Sequence, residues 1–151
     1  MAPEVKIDEK DREIINELIL NSRQTVGKLS KKIGMPPTTI HNRIKKLENK
    51  KIILNYSANI DYKKIGRPVM AYVGITINYN VGGRKIKQAE VAKELKAISG
   101  VREVVILAGG LDVLIKVLAE DIDDLNTIVT EKLRNVDGVD KTQTMITLKQ
   151  I

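Results

Sequence analysis

Cysteine is absent from this chain, and histidine occurs once, at His41. Disulfides and thiolate metal sites are therefore excluded, and an imidazole metal site or charge-relay triad would have to be built on His41 alone. Phenylalanine and tryptophan are also absent, leaving four tyrosines. That is too few rings for the stacked aromatic platforms that hold single-stranded nucleic acid. Long apolar runs are missing too. The most apolar stretch, Val104 to Ala119, is broken by Gly109, Gly110, Asp112 and Lys116, so no segment reads as a membrane span. No secretory signal is legible, which sets the expectation of a soluble, cytoplasmic protein. Apolar residues still make up 42% of the 151, ample for one or two small packed domains and too many for a disordered chain.

What the chain does have is positive charge in one place. Its net charge is +7; residues 1–67 hold 15 basic and 8 acidic side chains, and residues 68–151 hold 11 of each. Nine of the bases lie between Arg23 and Lys51, against one acid, Glu48. A basic module joined to a neutral one points to a polyanion binder tied to a module with another task.

The basic part reads as three helices. Asp8 is placed to cap the first, with Asp11 near its positive end, and Ile14, Ile15, Leu18 and Ile19 form an apolar stripe. Thr25 caps a second helix whose inner face is Val26, Leu29 and Ile33, and Gly34 ends it. Met35-Pro36-Pro37 makes a turn, since proline suits a turn or a first helical position and nothing deeper. The third helix turns Ile40, Ile44 and Leu47 inward. Outward it presents Thr38, Thr39, His41, Asn42, Arg43, Lys45 and Lys46, none acidic and none large and apolar. A helix lying in the major groove needs that inventory: short polar side chains for base edges and cations for phosphates. A solvated basic face on an ordinary three-helix bundle is the bland alternative. The apolar stripes, the glycine turn and the one-sided charge together favour DNA binding.

Beyond Ile52 and Ile53, residues Leu54 to Ile60 alternate apolar and polar, which predicts a half-buried strand. Asp61 to Pro68 contains Gly66 and Pro68 and reads as a hinge. Strands are then expected over 69–79, 101–108, 112–119 and 139–149, and helices over 85–99 and 121–136. A loop at Asn80 to Arg84 and a hairpin turn at Gly109-Gly110 complete the pattern. The order βαββαβ is the split βαβ, or ferredoxin-like, arrangement, and the fold class is α+β. One face of such a sheet is left open. Met70, Tyr72, Thr76, Val104, Ile106, Leu114 and Leu118 are expected to decorate it, and so much apolar surface calls for a partner chain.

A helix–turn–helix followed by a hinge and a βαββαβ domain resembles the leucine-responsive and asparagine-responsive regulators, the Lrp/AsnC or feast/famine family. The resemblance covers essentially the whole chain. It is carried by Asp8-x-x-Asp11-x-x-Ile14-Ile15, Thr39-Ile40-x-x-Arg43-Ile44-x-x-Leu47, Ile52-Ile53-x-x-Tyr56, Gly109-x-x-Asp112 and Gly138-Val139-x-x-Thr142-x-Thr144. It implies a winged-type helix–turn–helix domain over 1–53, a hinge strand and linker over 54–68, and a ferredoxin-like (RAM) domain for effector binding and oligomerisation over 69–151. It further implies a transcription factor that binds double-stranded DNA, forms a homodimer and assembles dimers into octamers or other rings. An amino acid or related metabolite would be the effector, and no cofactor or metal is implied. The family's effector pocket, carried over, would be lined by Gly109, Gly110, Leu111, Asp112, Thr142 and Thr144. Each has a plainer reading: the glycines as hairpin residues, Asp112 as a structural cap, the threonines as ordinary strand residues. The family often reads Thr-Gly-Asp-Tyr-Asp at the hairpin, where this chain has Ala108-Gly109-Gly110-Leu111-Asp112. With Leu111 in place of the aromatic, an effector with a medium apolar side chain is expected.

Two rival functions follow from the same layout. Some relatives of this architecture decarboxylate a haem precursor, chemistry that looks for His and Arg in the C-terminal domain. This chain has no His there and only Arg84, Arg102 and Arg134 after residue 67, so an enzyme is not expected. A DNA-packaging protein of low selectivity is the other rival. Thr38, Thr39, His41 and Asn42 favour base reading over pure phosphate binding.

Overall fold

The computed structural model describes residues 6–149. These divide into two compact units between Asn59 and Ile60. The first contains helices α1 (Glu9–Leu20), α2 (Val26–Ile33) and α3 (Pro37–Asn49). Asp8 caps α1 in a reciprocal box: its carboxylate accepts from the Asp11 N–H at 2.8 Å, and the Asp11 carboxylate accepts from the Asp8 N–H at 3.3 Å. The Thr25 hydroxyl caps α2, accepting from the Lys28 N–H. Gly34 ends that helix at φ 70°, a left-handed conformation that glycine adopts without a Cβ penalty. Pro36 is the N-cap of α3 and Pro37 its first residue. The core is Ile14, Leu18, Leu29, Ile33, Ile40 and Leu47, with Ile15, Val26 and Ile44 packed against it.

Two expectations for this unit need correction. Ile19 is 75% exposed, because five residues on from Ile14 it has turned about 140° away from the buried line. Leu54 to Ile60 forms no strand, and its side chains are exposed. Alternation specifies an extended backbone, yet a strand also needs a neighbour to complete its hydrogen-bond ladder, and none lies beside this segment among the described residues. Leu54 and Tyr56 instead border, with Ile15, Ile19 and Leu20, an open apolar groove of about 870 Å³.

The second unit begins with a single 3-10 turn, Tyr62–Ile65, capped by Asp61 and closed by Gly66. The stretch expected as a hinge is therefore ordered. Arg67 fastens it to Glu120 at 3.2 Å and to Asp124 at 3.4 Å. Strand β1 (Val69–Ile77) follows, then a small hairpin of β2 (Asn80–Val81) and β3 (Arg84–Lys85) where only a loop was expected. Helix α4 (Gln88–Ala97), strands β4 (Val101–Ile106) and β5 (Val113–Ala119), helix α5 (Ile122–Thr127) and strand β6 (Val139–Ile146) complete the chain. The four long strands form one antiparallel sheet in the order β4-β5-β1-β6, the ferredoxin-like arrangement. Ala71, Val73, Ile75 and Ile77 of β1 meet Val113, Ile115, Val117 and Ala119 of β5 on the face covered by helices, with Val91, Leu95, Leu125, Ile128 and Leu133 above them. Past Thr127 the last helix widens into a π turn over Ile128–Lys132, where the Leu133 N–H reaches the Ile128 carbonyl. The wider turn brings two residues five apart onto one face, and both are fully buried.

The open face of the sheet carries Met70, Tyr72, Thr76 and Leu114 as expected, but neither Val104 nor Ile106, and Leu118, though paired with Met70 on that side, is fully buried rather than part of the open surface. Val104 pairs with Ile115 and Ile106 with Val113, both on the helix-covered side, and Val105 pairs with Leu114 on the open side. A register shift between Val101 and Glu103 exchanges the two faces along β4, as one extra residue in a strand must.

Gly100, at the turn from α4 into β4, has φ 96°, and a Cβ there would lie 3.0 Å from the Leu118 carbonyl oxygen and 2.8 Å from Ile128 Cδ1. Gly100→Ala is expected to destabilise the C-terminal unit by roughly 1–3 kcal/mol. Gly110→Ala, which would meet no atom within 4 Å, should stay within about 0.5 kcal/mol. Chemical denaturation of the two variants checks the contrast; equal stabilities would contradict the packing described at Gly100.

Candidate functional site

Helix α3 is held by Ile40 and Leu47, both fully buried. At about 100° per residue, Thr38, Asn42, Lys45 and Asn49 fall on the opposite side. Thr38, His41, Asn42, Lys45 and Lys46 are exposed, and Thr39 is half-buried on the flank. Asn49, seven residues after Asn42 and equally exposed, extends the same row. Its i, i+7 spacing was the available signal, but a position at the end of the basic run drew no attention. Lys28, Lys31, Lys45, Lys50 and Lys51 join no ion pair among the described residues, whereas Lys32 meets Glu17 at 2.5 Å.

Arg43 differs from its neighbours. It stands about 60° from the buried line of α3 and its side chain is 25% exposed. Its Nη1 donates to Asp8 Oδ1 at 2.8 Å, Asp8 Oδ2 at 2.6 Å and Asp11 Oδ1 at 2.7 Å. Lys46 Nζ lies 3.5 Å from Asp11 Oδ2. Asp11 is fully buried, and the arginine is therefore not free on the outward face. The hydrogen bond from Arg43 lowers the pKa of Asp8, helped by the Asp11 N–H. Burial pushes Asp11 upward, but the Arg43 and Asp8 N–H hydrogen bonds outweigh it, and Asp11 too lies below its ordinary value. The same contacts raise the pKa of Arg43. Sequence reasoning missed both carboxylates as partners of α3, because the capping box already accounted for them.

The second candidate site is the β4–β5 hairpin. Gly109 and Gly110 form its exposed tip. Asp112 acts as a latch: Oδ2 accepts from the Ile77 N–H at 2.7 Å, Oδ1 accepts from the Tyr79 hydroxyl at 2.5 Å, and its own N–H donates to the Ile75 carbonyl at 2.9 Å. The hydrogen bond to Asp112 raises the Tyr79 pKa. Gln88 Nε2 donates to the Asp112 carbonyl at 2.8 Å, fastening the start of α4 to the same corner. Leu111 folds over Gly74 on the open face; a Cβ at Gly74 would sit 2.6 Å from Leu111 Cδ1. Thr142 and Thr144 pair with Ile75 and Val73 on β6, which places them on the helix-covered side. Within one copy the structure therefore groups Gly109, Gly110, Leu111 and Asp112, and sets the two threonines on the other face.

The family model described as the Lrp/AsnC ligand binding domain matches residues 70–151, and that described as winged helix-turn-helix DNA-binding matches residues 7–53. An uncharacterised HTH-type transcriptional regulator of Pyrococcus abyssi is 37% identical over 145 residues, covering 96% of this chain and 95% of its own length. The regulatory protein AsnC of Escherichia coli is 30% identical over 143 residues, or 95% of this chain and 91% of AsnC. The solved structure of that AsnC superposes with a TM-score of 0.78 at 27% identity, over 97% of this chain and 95% of its own. A transcriptional regulator of Neisseria meningitidis in complex with L-Met superposes with a TM-score of 0.85 at 25% identity, over 97% of this chain and 92% of its own.

The lowered pKa values of Asp8 and Asp11 fix a pH dependence. A carboxylate whose pKa falls on folding contributes stability that is complete above its unfolded value and is lost as pH drops through its folded value. Melting temperature should therefore be insensitive to this cluster above about pH 5 and fall steeply below about pH 4. Arg43→Ala should lessen that fall, because the carboxylates then titrate nearer their ordinary range. Thermal melts across an acid pH series test this; an unchanged profile in Arg43→Ala would contradict the ion pairing.

Proposed function

The chain belongs to the Lrp/AsnC family of transcriptional regulators, and on that premise we propose that it reads double-stranded DNA through the outward face of α3 and answers to an amino acid at the β4–β5 hairpin. The observation that carries the DNA reading is the row Thr38, Asn42, Lys45 and Asn49, flanked by His41 and Lys46: exposed, polar or basic, on a helix whose other side is fully buried. Asn42 and Thr38 are the base readers, since an amide can pair bidentately with adenine and a hydroxyl can either donate to or accept from a base edge. Lys45, His41 and the unpaired lysines of α2 and the α3 end meet phosphates. Thr39, half-buried, supports the same edge.

The regulator works as a homodimer. The apolar open face of the sheet and the exposed groove of the N-terminal unit are the surfaces that suit a second copy. Two recognition helices related by a two-fold axis fit successive major grooves, so the operator is pseudo-palindromic, with half-sites about 34 Å apart. The effector's carboxylate meets the hairpin N–H groups near Gly109 and Gly110. Its ammonium meets Asp112 Oδ1, which now accepts from Tyr79, and its medium apolar side chain lies against Leu111. Thr142 and Thr144, on the opposite face within one copy, come from a neighbouring copy. Ligand binding is then coupled to assembly of dimers into an octamer or other ring, because differential affinity for assembly states is the only way a ligand shifts them. No enzymatic activity is assigned: the matched relatives are transcriptional regulators. No described helix is long and apolar enough to cross a membrane, and we place the protein in the cytoplasm with its DNA.

Lys45→Ala should weaken every duplex alike and reduce the slope of log affinity against log salt by about one counterion. Asn42→Ala should instead cost about 1–3 kcal/mol at a preferred site while leaving random DNA unaffected. Unchanged selectivity in Asn42→Ala would sink the assigned register of α3. For the effector, calorimetry against the twenty amino acids should give heat with one or a few of medium apolar side chain, abolished by Asp112→Ala without loss of the dimer in sedimentation. Absence of heat with all twenty removes the amino acid from the reading.

A further inference from the structure

The cluster of Asp8, Asp11, Arg43 and Lys46 lies beside the DNA-reading face, with Lys46 exposed at its edge and Arg43 turned inward. Arg43 has two conceivable tasks: to hold a phosphate, or to hold α3. The geometry decides between them. Asp11 is fully buried, and Arg43 Nη1 at 2.7 Å is its nearest cation, with Lys46 at 3.5 Å. For Arg43 to swing to a phosphate, that buried carboxylate would lose its shortest contact and keep only the Asp8 N–H at 3.3 Å and an exposed lysine at 3.5 Å. Stranding a buried charge costs more than one solvent-screened phosphate contact returns. The four side chains also sum to zero charge, so the cluster is electrically silent toward a duplex.

We propose that Asp11 and Asp8, acting through Arg43, are positioning residues that set the rotation of the recognition helix, and that Arg43 is withheld from phosphate. This rests on α3 being the helix that reads DNA. Arg43 directly follows Asn42, so whatever fixes the azimuth of one fixes the other. With side-chain tips about 5–6 Å from the helix axis, a rotation of about 10° moves Asn42 by roughly 1 Å, twice the tolerance of about 0.5 Å that a preorganised polar contact allows. The apolar residues Ile40, Ile44 and Leu47 resist large rotations but tolerate small ones, since dispersion contacts are not directional. A guanidinium shared by two carboxylates is directional. The same carboxylates close the capping box of α1, so the first turn of α1 and the rotation of α3 are fixed together.

The test uses the full-length chain and two probes: a duplex selected by the wild-type protein from a random-sequence library, and a random-sequence duplex. Three variants are compared with wild type for folding by circular dichroism and for affinity across a salt series. Arg43→Lys keeps the charge but is shorter and replaces the fixed, in-plane N–H groups of Nη1, which serve both carboxylates, with a freely rotating ammonium. Asp11→Asn keeps the shape but removes the buried charge. The double variant Asp8→Asn/Arg43→Gln keeps the net charge of the cluster and the helix cap. Both Arg43→Lys and Asp11→Asn are expected to remain folded, and Arg43→Lys to bind the random duplex as wild type does, while in both variants the ratio of selected to random affinity falls at least tenfold. The double variant should leave the salt slope on the random duplex unchanged. A purely structural role would lower both affinities in proportion to the folded fraction and leave their ratio intact. Full discrimination in folded Arg43→Lys, or a salt slope lower by about one counterion in the double variant, would overturn the proposal. If Asp11→Asn does not fold, Arg43→Lys decides. A wild-type chain that selects no preferred duplex would overturn the reading of α3 and this proposal together.

Discussion

A carboxylate cut off from water needs a cation, and in the N-terminal unit that requirement ties two helices into one piece. Asp11 sits at the third position of α1, where its side chain completes the cap and then disappears beneath Arg43. Around it the apolar core of Ile14, Leu29, Ile40 and Leu47 supplies the stability, because burial of such side chains is the dominant favourable term in a small bundle. The core, however, resists small rotations of a helix only through soft, non-directional contacts. The charged cluster does more, since hydrogen bonds to a guanidinium have direction as well as strength. One set of residues therefore makes the unit fold, and a smaller set makes it fold with a particular face outward.

That division between non-directional and directional contacts also explains what was legible in the sequence. Helical stripes, Ile19 apart, caps at Asp8 and Thr25, and the glycine stop at Gly34 are local, and each appears in the structure where periodicity and capping chemistry put it. The strand alternation of β1 and β5 is equally local and equally clear. What failed was whatever depended on a partner. Leu54 to Ile60 alternates like a strand but has no ladder to join. Val104 and Val105 exchange faces because of one extra residue in β4 that no composition reveals. The π turn at Ile128 answers to burial of two residues five apart, which a regular helix period cannot show.

The candidate sites follow the same rule. Exposed residues of α3 could be named from the sequence because a helix wheel is a local object. Arg43 was grouped with them for the same reason, and only its long-range carboxylates, 32 and 35 positions away, withdraw it. At the hairpin, Asp112 was singled out by spacing, but its engagement with Ile77 and Tyr79 and the seating of Leu111 over Gly74 are tertiary facts. The C-terminal unit thus presents a hairpin already latched to the central strand. A ligand that competes for the Asp112 carboxylate would act on that latch, and through β1 on the sheet whose open face a second copy would cover.

On the proposed function, α3 reads the major groove. Methylation interference on the duplex selected by the wild-type chain tests it most directly, because methyl groups at guanine N7 project into the major groove alone. Methylation of guanines in two clusters about one helical turn apart is expected to abolish binding, while an added minor-groove ligand leaves it largely intact. Binding that ignores N7 methylation and yields to the minor-groove ligand would contradict it.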